Sequence, residues 1–507
     1  MNFLDNIIAY VNPSAGVKRA SQRLALETIR HYEAASSSRR TDNWKATGAD
    51  ANSEIATSLT TLRNRSREQV RNNVYAKRTV QALTNNIVGT GIRPTPMDVS
   101  PRVEKNIMLL WKMWAGKKRC DFDGNLTFYG LQKLVMRTVV TSGECLVISR
   151  RANDTLLPLK LQVLEPDFID TNKTAVSKEN GNFILHGIEF NSDGQKVGYW
   201  LFKQHPGSMR MRALTSEFVK AEDVCHIFAI ERPGQVRGIP WLSASMIRMR
   251  DFDDYEDAEL VRQKIAACFT VFISDTDADA PKTVEEADIA SRVEPGIIEI
   301  LPPGKSVHFA QPPLTNGYES YSRKILQGIA AGTGITYEAM TGDLSNVNFS
   351  SGRMGWIEMQ RNIQDWQEDM LIPQLCETVW DWFLKAGAIV GKTKEDIEAT
   401  WTPPRREMID AKKETEALAL QVRNGFISYQ EALRQLGYDP EDTLEEIAAF
   451  NAILDKHGIV LDSDARNKAK SAQAQPSSDN QDSKAESDGN NAGNKAKNGT
   501  QKAEKAQ

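Results

Sequence analysis

The stretch Trp241–Phe269, WLSASMIRMRDFDDYEDAELVRQKIAACF, predicts one long uninterrupted α-helix, about 42 Å in length at about 1.5 Å per residue. A Pro- and Gly-rich segment, Thr270–Pro313, follows it and contains two strand-like runs, IIEIL and VHFA. A second helix is predicted at Tyr318–Thr333. Two helices therefore bracket a small module of about 45 residues, and all three interrupt an α/β body. This layout is unusual for a soluble enzyme.

The chain before this insertion mixes helices and short strands, which predicts an α+β fold that is mainly helical. Helical patterns occur at Leu62–Ile87, which Gly89-Thr-Gly91 ends, and at Asn106–Trp114 and Phe128–Thr141. Between Glu144 and Ile230, β-branched and aromatic runs separated by Asn, Asp and Gly predict a sheet of short strands. These strands are CLVIS, LKLQVL, FILHGIEF, VGYWLF and VCHIF.

After the second helix, the chain is predicted to be helical apart from one polar loop. The elements are the loop Thr341–Ser351 and helices from Gly352 to Leu384, Asp410 to Asn424 and Ser428 to His457. The last 45 residues, Ser463–Gln507, contain no Val, Ile, Leu, Met, Phe, Trp, Tyr or Cys. They cannot bury enough apolar surface to offset the entropy lost on ordering, so they predict a disordered tail. The residues before Thr60 predict an extended arm with a short helix near Ala20–Tyr32.

The composition excludes several classes of protein. The chain has 507 residues, enough for about three or four folding units. Lys and Arg total 63 and Asp and Glu total 67, so the net charge is −4, which argues against a generally basic nucleic-acid binder. The longest apolar run, near Ile265–Ile273, is shorter than the roughly 20 residues of a membrane span, so no membrane partner is predicted. The N-terminus does not read as a signal peptide, and five scattered cysteines without a CxxC pair indicate reduced thiols in the cytosol.

No residue pattern predicts a catalytic residue, a metal site or a cofactor. The histidines are dispersed, no G-x-S-x-G motif occurs, and no acidic cluster has the spacing of a metal-dependent nuclease. Ala386–Thr393, AGAIVGKT, satisfies a relaxed phosphate-loop pattern in which Lys392 and Thr393 would contact phosphate and metal. A phosphate loop must follow a strand, but a Trp-rich helix precedes this one, and Gly387 is interpreted as its C-cap. An ATP-driven DNA translocase using residues 386–393 stays an alternative.

Two charged faces are candidate binding surfaces. Arg63, Arg67 and Arg71 are spaced at i, i+4 and i+8, which places them on one helix face. This face could contact nucleic-acid phosphates, but a solvated or intersubunit face paired with acids is the favoured interpretation. The long helix carries six acids within nine residues, from Asp251 to Glu259, and either a solvated face or an acidic wall that repels a polyanion would explain them.

The loop Thr341–Ser351 is rich in small polar residues between two helices, as expected of an exposed turn. Ser350 or Ser351 is predicted to be the N-cap of the helix that follows. Polar loops often carry function, although the composition of this one does not indicate which.

Many short phrases along the chain occur in one order, and together they resemble the lambda family of tailed-phage portal proteins. The resemblance runs from about Arg40 to Leu461 and weakens in the tail beyond. The phrases include Arg40-Thr-Asp-Asn-Trp44, Val88-Gly-Thr-Gly-Ile-Arg-Pro94, Leu164-Glu-Pro-Asp167, Arg232-Pro-Gly-Gln-Val-Arg-Gly-Ile-Pro-Trp241, Asp253-Asp-Tyr-Glu-Asp-Ala-Glu-Leu260, Leu301-Pro-Pro-Gly304, Phe309-Ala-Gln-Pro-Pro313 and Thr341-Gly-Asp-Leu-Ser345.

The resemblance implies a structural ring protein, usually of twelve subunits, at one capsid vertex of the virion, assembled in the host cytoplasm. Double-stranded DNA would enter through its channel, driven by the terminase large subunit, and leave by the same route. Head-completion or connector proteins, the major capsid protein and scaffold proteins would be further partners. A head–tail scaffold component that never contacts DNA is a second alternative.

The resemblance also implies a division of the chain. It runs as an N-terminal arm (1–42), wing (43–240), first stem helix (241–269), clip (270–313), second stem helix (314–335), channel-loop region (336–352), long wing helix and connection (353–409), crown (410–462) and tail (463–507). The DNA-facing loop residues would be Asn346, Val347, Asn348 and Phe349. The acidic face of the stem would be formed by Asp251, Asp253, Asp254 and Asp257.

Overall fold

A computed structural model of the chain describes residues 10, 12–29, 39, 46–153, 156–176, 181–209, 215–267, 271–275, 305–309, 317–404, 408, 410–438 and 440–461. The α-helices are α1 (Pro13–Ile29), α2 (Ala51–Ala56), α3 (Leu59–Asn72), α4 (Val74–Ile87), α5 (Pro101–Ala115), α6 (Phe128–Ser142), α7 (Met246–Ala267), α8 (Tyr318–Thr333), α9 (Tyr337–Thr341), α10 (Phe349–Asp365), α11 (Glu377–Ile389), α12 (Ala411–Arg423), α13 (Tyr429–Gln435) and α14 (Pro440–His457). The strands are β1 (Arg93–Pro96), β2 (Glu144–Arg151), β3 (Leu159–Leu164), β4 (Ala175–Val176), β5 (Phe183–Leu185), β6 (Ile188–Phe190), β7 (Lys196–Phe202), β8 (Ser216–Lys220), β9 (Val224–Phe228), β10 (Val271–Asp275), β11 (Lys305–Phe309) and β12 (Ala399–Thr402). The α+β, mainly helical fold class is confirmed.

The helical core is built around Trp111 of α5, which is fully buried. Its ring lies 5.2 Å from that of Phe128 on α6, 4.9 Å from Phe383 on α11 and 6.3 Å from Trp401 on β12, measured between centroids. Edge-to-face aromatic contacts at these distances add stability beyond the area that they bury. One side chain thus joins elements that are almost 300 residues apart in the chain.

Strand β2 is the centre of the β part, because both of its faces are buried. It pairs antiparallel with β3 on one side and β9 on the other. Cys145 and Val147 belong to the helical core, while Leu146 and Ile148 belong to a second core with the antiparallel sheet β4-β5-β6-β7-β8. Successive side chains of a strand point to opposite faces, so one strand serves both layers. The three-stranded sheet is therefore sandwiched between helices and a second sheet.

Two further sheets have two strands each. β1 pairs with β12 close to the aromatic core. β10 and β11 pair antiparallel between α7 and α8 in the chain, with Val271 opposite Phe309. The predicted strand-like run VHFA overlaps β11, whereas the predicted strand IIEIL at 297–301 lies outside the described residues.

Two predicted helices are interrupted in ways that the periodicity did not indicate. The helix predicted at Leu62–Ile87 is two helices, because Asn73 has extended dihedrals (φ −96°, ψ 128°) and its side chain caps α4. The helix predicted from Gly352 to Leu384 begins at Phe349 and contains a π-helical segment, Trp366–Cys376, between α10 and α11. Pro373 lies in this segment and has no N–H for an α-helical bond, so the wider turn accommodates it.

Other boundaries also differ from the predictions. The run FILHGIEF is two strands joined by His186 and Gly187, which both have positive φ (50° and 80°), as a tight two-residue hairpin requires. The helix predicted at Ser428–His457 is split into α13 and α14, and Gly437 between them has φ +73°. The N-terminal helix is displaced to Pro13–Ile29. Strands β3 and β9 and helix α8 have the predicted bounds.

The chain divides into two compact units, residues 1–439 and 440–507, and α14 is the described helix of the second. The boundary falls inside residues 410–462, so the assignment of that whole range to a crown stays a prediction. The predicted disordered tail lies outside the described residues. In the described part of the chain, no helix has the length and apolar character to cross a membrane.

Candidate functional site

Helix α7 carries all four acids predicted to form a functional face, and aromatic contacts fix its orientation. Phe252 is fully buried, and its ring centroid lies 5.7 Å from that of Tyr75 at the start of α4. Tyr255 contacts Tyr321 of α8 edge-to-face at 4.7 Å. These contacts bury one side of α7 and leave the opposite side to solvent in the subunit.

Three of the four predicted acids lie on the solvent side. Asp251, Asp254 and Asp257 are exposed, and none of them forms an ion pair with a described residue. Asp253 is different, because both of its carboxylate oxygens accept hydrogen bonds from Asn73 Nδ2, at 2.7 and 2.9 Å. Asn73 Oδ1 accepts from the Ala76 amide at 2.8 Å, so one side chain caps α4 and holds α7. The acidic face consequently has three free carboxylates rather than four.

The remaining acids of this run have local partners. The hydroxyl of Tyr318 on α8 donates to Glu256 Oε1 at 3.2 Å. Arg262 Nε donates to Glu259 Oε2 at 2.8 Å, one turn along α7. The charge pair of Arg262 with Glu259 offsets part of the repulsion between like charges in this helix.

The predicted channel-loop residues have different surroundings. Asn348, and not Ser350 or Ser351, is the N-cap of α10: its side chain accepts from the Ser351 amide at 2.8 Å, and Ser351 completes a capping box. Val347 is half-buried, and a Cβ on Gly352 would lie 2.8 Å from its Cγ1. The side-chain amide of the exposed Asn346 lies beside the guanidinium of Arg323, and the amide orientation that directs its oxygen at this cation satisfies both groups.

Phe349 is the apolar member of this set that presents its side chain to solvent. It is the first residue of α10, and 55% of its surface is exposed. Leu344, which the sequence did not single out, is 67% exposed at the other end of the loop. Two apolar side chains therefore project from a loop whose polar residues bond within the subunit.

The arginine face predicted on α3 does not exist as a common solvent-facing surface. Arg63 is buried; its Nη2 forms an ion pair with Glu144 and its Nε donates to Ser142 O at 3.2 Å. Arg67 pairs with Asp167 and donates to Ser142 Oγ at 3.1 Å. Arg71 alone of the three is exposed. The guanidinium of Arg63 faces the interior and so cannot contact phosphates or a neighbouring subunit, and the acids that pair with Arg63 and Arg67 lie within the subunit rather than on a solvated or intersubunit face.

Glu144 is the centre of a buried charge cluster that the sequence did not reveal. The carboxylate has no exposed surface and accepts bonds from Arg237 Nη2 at 2.6 Å, His226 Nε2 at 2.9 Å and the Gly238 amide at 2.8 Å, in addition to its pair with Arg63. Its partners belong to α3, β9 and the segment after β9, so contacts between distant elements form the cluster.

The pKa values in this cluster follow from burial and from the two arginines. Burial raises the pKa of Glu144, but the charges of Arg237 and Arg63 outweigh it and hold the pKa well below its ordinary value. Burial lowers the pKa of Arg63 to about 10, so this side chain stays charged at neutral pH. Burial also lowers the pKa of His226 to about 4, despite Glu144 beside it. At neutral pH, therefore, a neutral His226 donates to an ionised Glu144.

The phosphate-loop alternative is contradicted by the structure. Residues 386–389 form the end of α11, so the element directly before the predicted loop is a helix and not a strand. Thr393 Oγ1 donates to Leu384 O at 2.8 Å, and Lys392 Nζ donates to Leu156 O at 3.0 Å. Gly387 is buried within α11, so it is not the C-cap, which is Val390. The hydroxyl of Thr393 thus bonds to α11 and the ammonium of Lys392 to the connection between β2 and β3, so neither group is placed to bind phosphate.

Within the described part of the chain, one group of side chains has atoms close enough to bind a cation. Glu165, Asp167 and His205 place one ligand atom each within 4.8 Å of one another. Arg67 pairs with Asp167, however, and its Nη2 lies 3.6 Å from Glu165 Oε2. A guanidinium thus already balances these carboxylates, and the arrangement is that of an ion-pair cluster.

The chain is similar in sequence to one protein family over most of its length. The profile of the family described as "Phage portal protein, lambda family" matches residues 37–367, more than half of the chain. The probable portal protein of Halomonas phage phiHAP-1 is 27% identical over 447 residues, covering 83% of this chain and 86% of that protein. Portal protein B of Escherichia phage lambda is 19% identical over 456 residues, covering 79% and 85%. A solved structure, the neck of an empty GTA particle, is 14% identical with a TM-score of 0.48, covering 78% of this chain and 97% of that chain.

Removal of the Glu144 charge should destabilise the fold strongly. Glu144→Gln leaves Arg63 and Arg237 buried without their counter-charge, and loss of one partner of a buried pair costs about 3–5 kcal/mol. Urea unfolding followed by tryptophan fluorescence measures this free energy. The control is Glu358→Gln, which breaks an exposed pair with Arg361 and should cost less than about 1 kcal/mol. Equal effects of the two variants would contradict the structural role of the cluster.

Stability should fall on acidification because of His226. Its pKa is about 4 in the folded chain and about 6.5 when unfolded, so the unfolded state takes up the proton first as the pH falls. Between pH 6.5 and about 4 the free energy of unfolding should drop by up to about 1.4 kcal/mol per pH unit from this group. His226→Gln should remove that part of the slope, whereas His457→Gln, at the exposed end of α14, should keep it. Identical pH profiles of wild type and His226→Gln would refute the assignment.

Proposed function

The chain belongs to the lambda family of phage portal proteins, and from this premise we propose that about twelve copies assemble into a ring around a DNA channel at one capsid vertex. The family match over residues 37–367 is the observation that carries the proposal. Double-stranded DNA would pass inward through the ring during packaging and outward during ejection. The ring would act as a conduit without catalysis of its own.

The arrangement of elements supports a division into wing, stem, clip, channel loop and crown. Helices α7 and α8 would be the stem, with their contact through Tyr255 and Tyr321 holding the pair together. Residues 270–313 would be the clip, 336–352 the channel-loop region and 410–462 the crown. The sandwich around β2 would form the wing. The clip would dock the terminase large subunit during packaging and head-completion or connector proteins afterwards, with major capsid and scaffold proteins around the ring.

The exposed carboxylates of α7 would line the channel. Asp251, Asp254 and Asp257 are free of ion pairs with described residues, so their charges are available to act on a passing polyanion. In a ring, each position is repeated in every subunit, which stacks circles of negative charge along the stem. DNA would be repelled from such a wall and would slide with little adhesion. Phe349 and Leu344 would narrow the channel at the loop.

Electron microscopy of the purified protein tests the central proposal. Negative-stain images should show rings with a central hole. A monomer, or an oligomer without a central hole, would contradict the proposal. Rings that assemble into heads but are never crossed by DNA would identify the protein as a head–tail scaffold component instead. The translocase alternative predicts ATP hydrolysis by the purified chain, and the structure of residues 386–393 speaks against it.

Neutralising the acidic face should slow packaging. The variant Asp251→Asn, Asp254→Asn, Asp257→Asn removes three charges from the exposed side of α7 without touching the Asn73–Asp253 bonds. DNA should then adhere to the wall, and an in vitro packaging assay should show a severalfold lower rate, with the largest difference at low ionic strength. The control removes three exposed acids elsewhere, at Asp123, Asp193 and Asp381. The same rate in both triple variants would rule out an acidic channel wall.

Truncation of Phe349 should separate DNA handling from ring assembly. Phe349→Ala removes an exposed ring but leaves the cap formed by Asn348 and Ser351 intact. Rings should form normally, while DNA retention in filled heads, measured by nuclease protection, should decrease. Tyr429→Ala is the matched control, because Tyr429 is also an exposed aromatic residue that directly follows an N-cap, Ser428. Normal retention in Phe349→Ala would contradict the placement of this side chain in the channel.

A further inference from the structure

Arg323 of α8 reaches across to the loop between α9 and α10. Its Nη2 donates to Asp343 Oδ2 at 2.7 Å and to Ser345 Oγ at 3.3 Å. The side-chain amide of Asn346 also lies beside this guanidinium, and the amide orientation that directs its oxygen at the cation satisfies both groups. The guanidinium carbon also lies 5.7 Å from the centroid of the Tyr337 ring. One side chain on a long helix therefore contacts three loop residues and the helix before the loop.

Asp343 gathers the loop around its carboxylate. The Tyr337 hydroxyl donates to Oδ2 at 2.9 Å, while the amide and hydroxyl of Ser345 donate to Oδ1 at 3.0 and 2.5 Å. The two bonds from Ser345 and the bond from Tyr337 keep the pKa of Asp343 below its ordinary value, so the group is a carboxylate at neutral pH. The start of the loop is thus a small folded unit, and Arg323 ties that unit to α8.

The turn of α8 before Arg323 is itself attached to α7. Tyr318 donates to Glu256, and Tyr321 packs against Tyr255. Residues one turn apart on a helix move together, because the helix backbone is stiff over that distance. A displacement of α8 against α7 would therefore be transmitted to Arg323 and, through it, to the loop.

An open pocket beside these contacts leaves the loop room to change position. It has a volume of about 470 Å³ and is bordered by Arg323, Asp343 and Ser345 on one side and by Tyr75, Phe252 and Leu326 on others. At this point the loop faces the helices across an open pocket, so the polar contacts of Arg323 and Tyr337 hold it to α8 and α9. If those contacts broke, the loop would have room to move toward the helices.

We propose that Arg323 is a positioning residue that couples loop 342–348 to α8, so that the loop keeps one position while Arg323 holds Asp343 and changes it when α8 shifts. The coupling itself needs only the contacts within the subunit. Its consequence for DNA rests on the proposed function, since the loop would contact DNA only in a portal ring.

The test measures the motion of the loop directly. A spin label on Leu344→Cys, a position that is 67% exposed, reports loop mobility in the full-length protein by EPR. The described native cysteines are buried, and labelling of the chain without Leu344→Cys gives the background. Arg323→Ala should narrow the EPR spectrum of the label, Arg323→Lys should restore part of the broadening, and Arg361→Ala, on an exposed pair of α10, should leave the spectrum unchanged.

A double variant tests whether Arg323 acts on the loop through Asp343. If Arg323 acts through this carboxylate, Arg323→Ala in an Asp343→Ala background should add little further mobility, because contacting residues are not additive. Additive increases would overturn the coupling. An unchanged spectrum in Arg323→Ala would overturn it too. If Arg323→Ala did not assemble like the wild-type protein, the EPR spectrum of Arg323→Lys would be the test. A label as immobile in Arg323→Lys as in the wild type would then contradict the proposal.

Packaging assays on the same variants separate this inference from the proposed function. With both correct, Arg323→Ala should assemble normally, loosen the loop and lower packaged or retained DNA. A looser loop with unchanged DNA handling, in both Arg323→Ala and Phe349→Ala, would support the coupling and contradict the channel role of the loop. A rigid loop together with impaired DNA handling would support the channel role and overturn the coupling.

Discussion

The carboxylate of Glu144, enclosed between Arg63, Arg237 and His226, is the interaction on which the rest of the structure depends. A buried charge is tolerable only when its partners are all in place, because each ion has lost its hydration. The cluster therefore forms only when α3, β2, β9 and the segment after β9 meet. The backbone at Gly143 and Gly238 also comes close, since a Cβ on Gly238 would lie 2.2 Å from Gly143 O.

This cluster lies at the start of β2, the strand that serves two cores. Directly after Glu144, side chains alternate between the helical layer and the five-stranded sheet. A shift of one residue in register would exchange the two faces and also displace Glu144 from its cations. The charge cluster and the apolar alternation consequently support the same register. The ring of Trp111 is a second centre of packing, in the helical core where α5, α6, α11 and β12 meet.

The surfaces that carry the proposed function are built differently from this interior. The free acids of α7 form no ion pair with a described residue, and more than half of Phe349 is exposed, as groups that act on a passing molecule must be. Their supports, however, are ordered. Asn73 holds α7 through Asp253, and Arg323 holds the loop through Asp343. A packed frame thus presents a charged helix and a loop that polar contacts hold beside an open pocket.

The sequence by itself determined the order of the elements, the α+β class and the family. These depend on local patterns, such as the β-branched runs of β3 and β9, and on phrases that recur in one order. Only the tertiary structure decided which charges are free. The partner of Arg63 lies 81 residues away and that of Asp253 lies 180 residues away, and periodicity carries no information about such pairs. The interruptions of helices at Asn73 and Pro373 also escaped the sequence patterns. Extended backbone at a cap and a wider turn at a proline are stable only when tertiary packing accommodates them, which local propensity does not show.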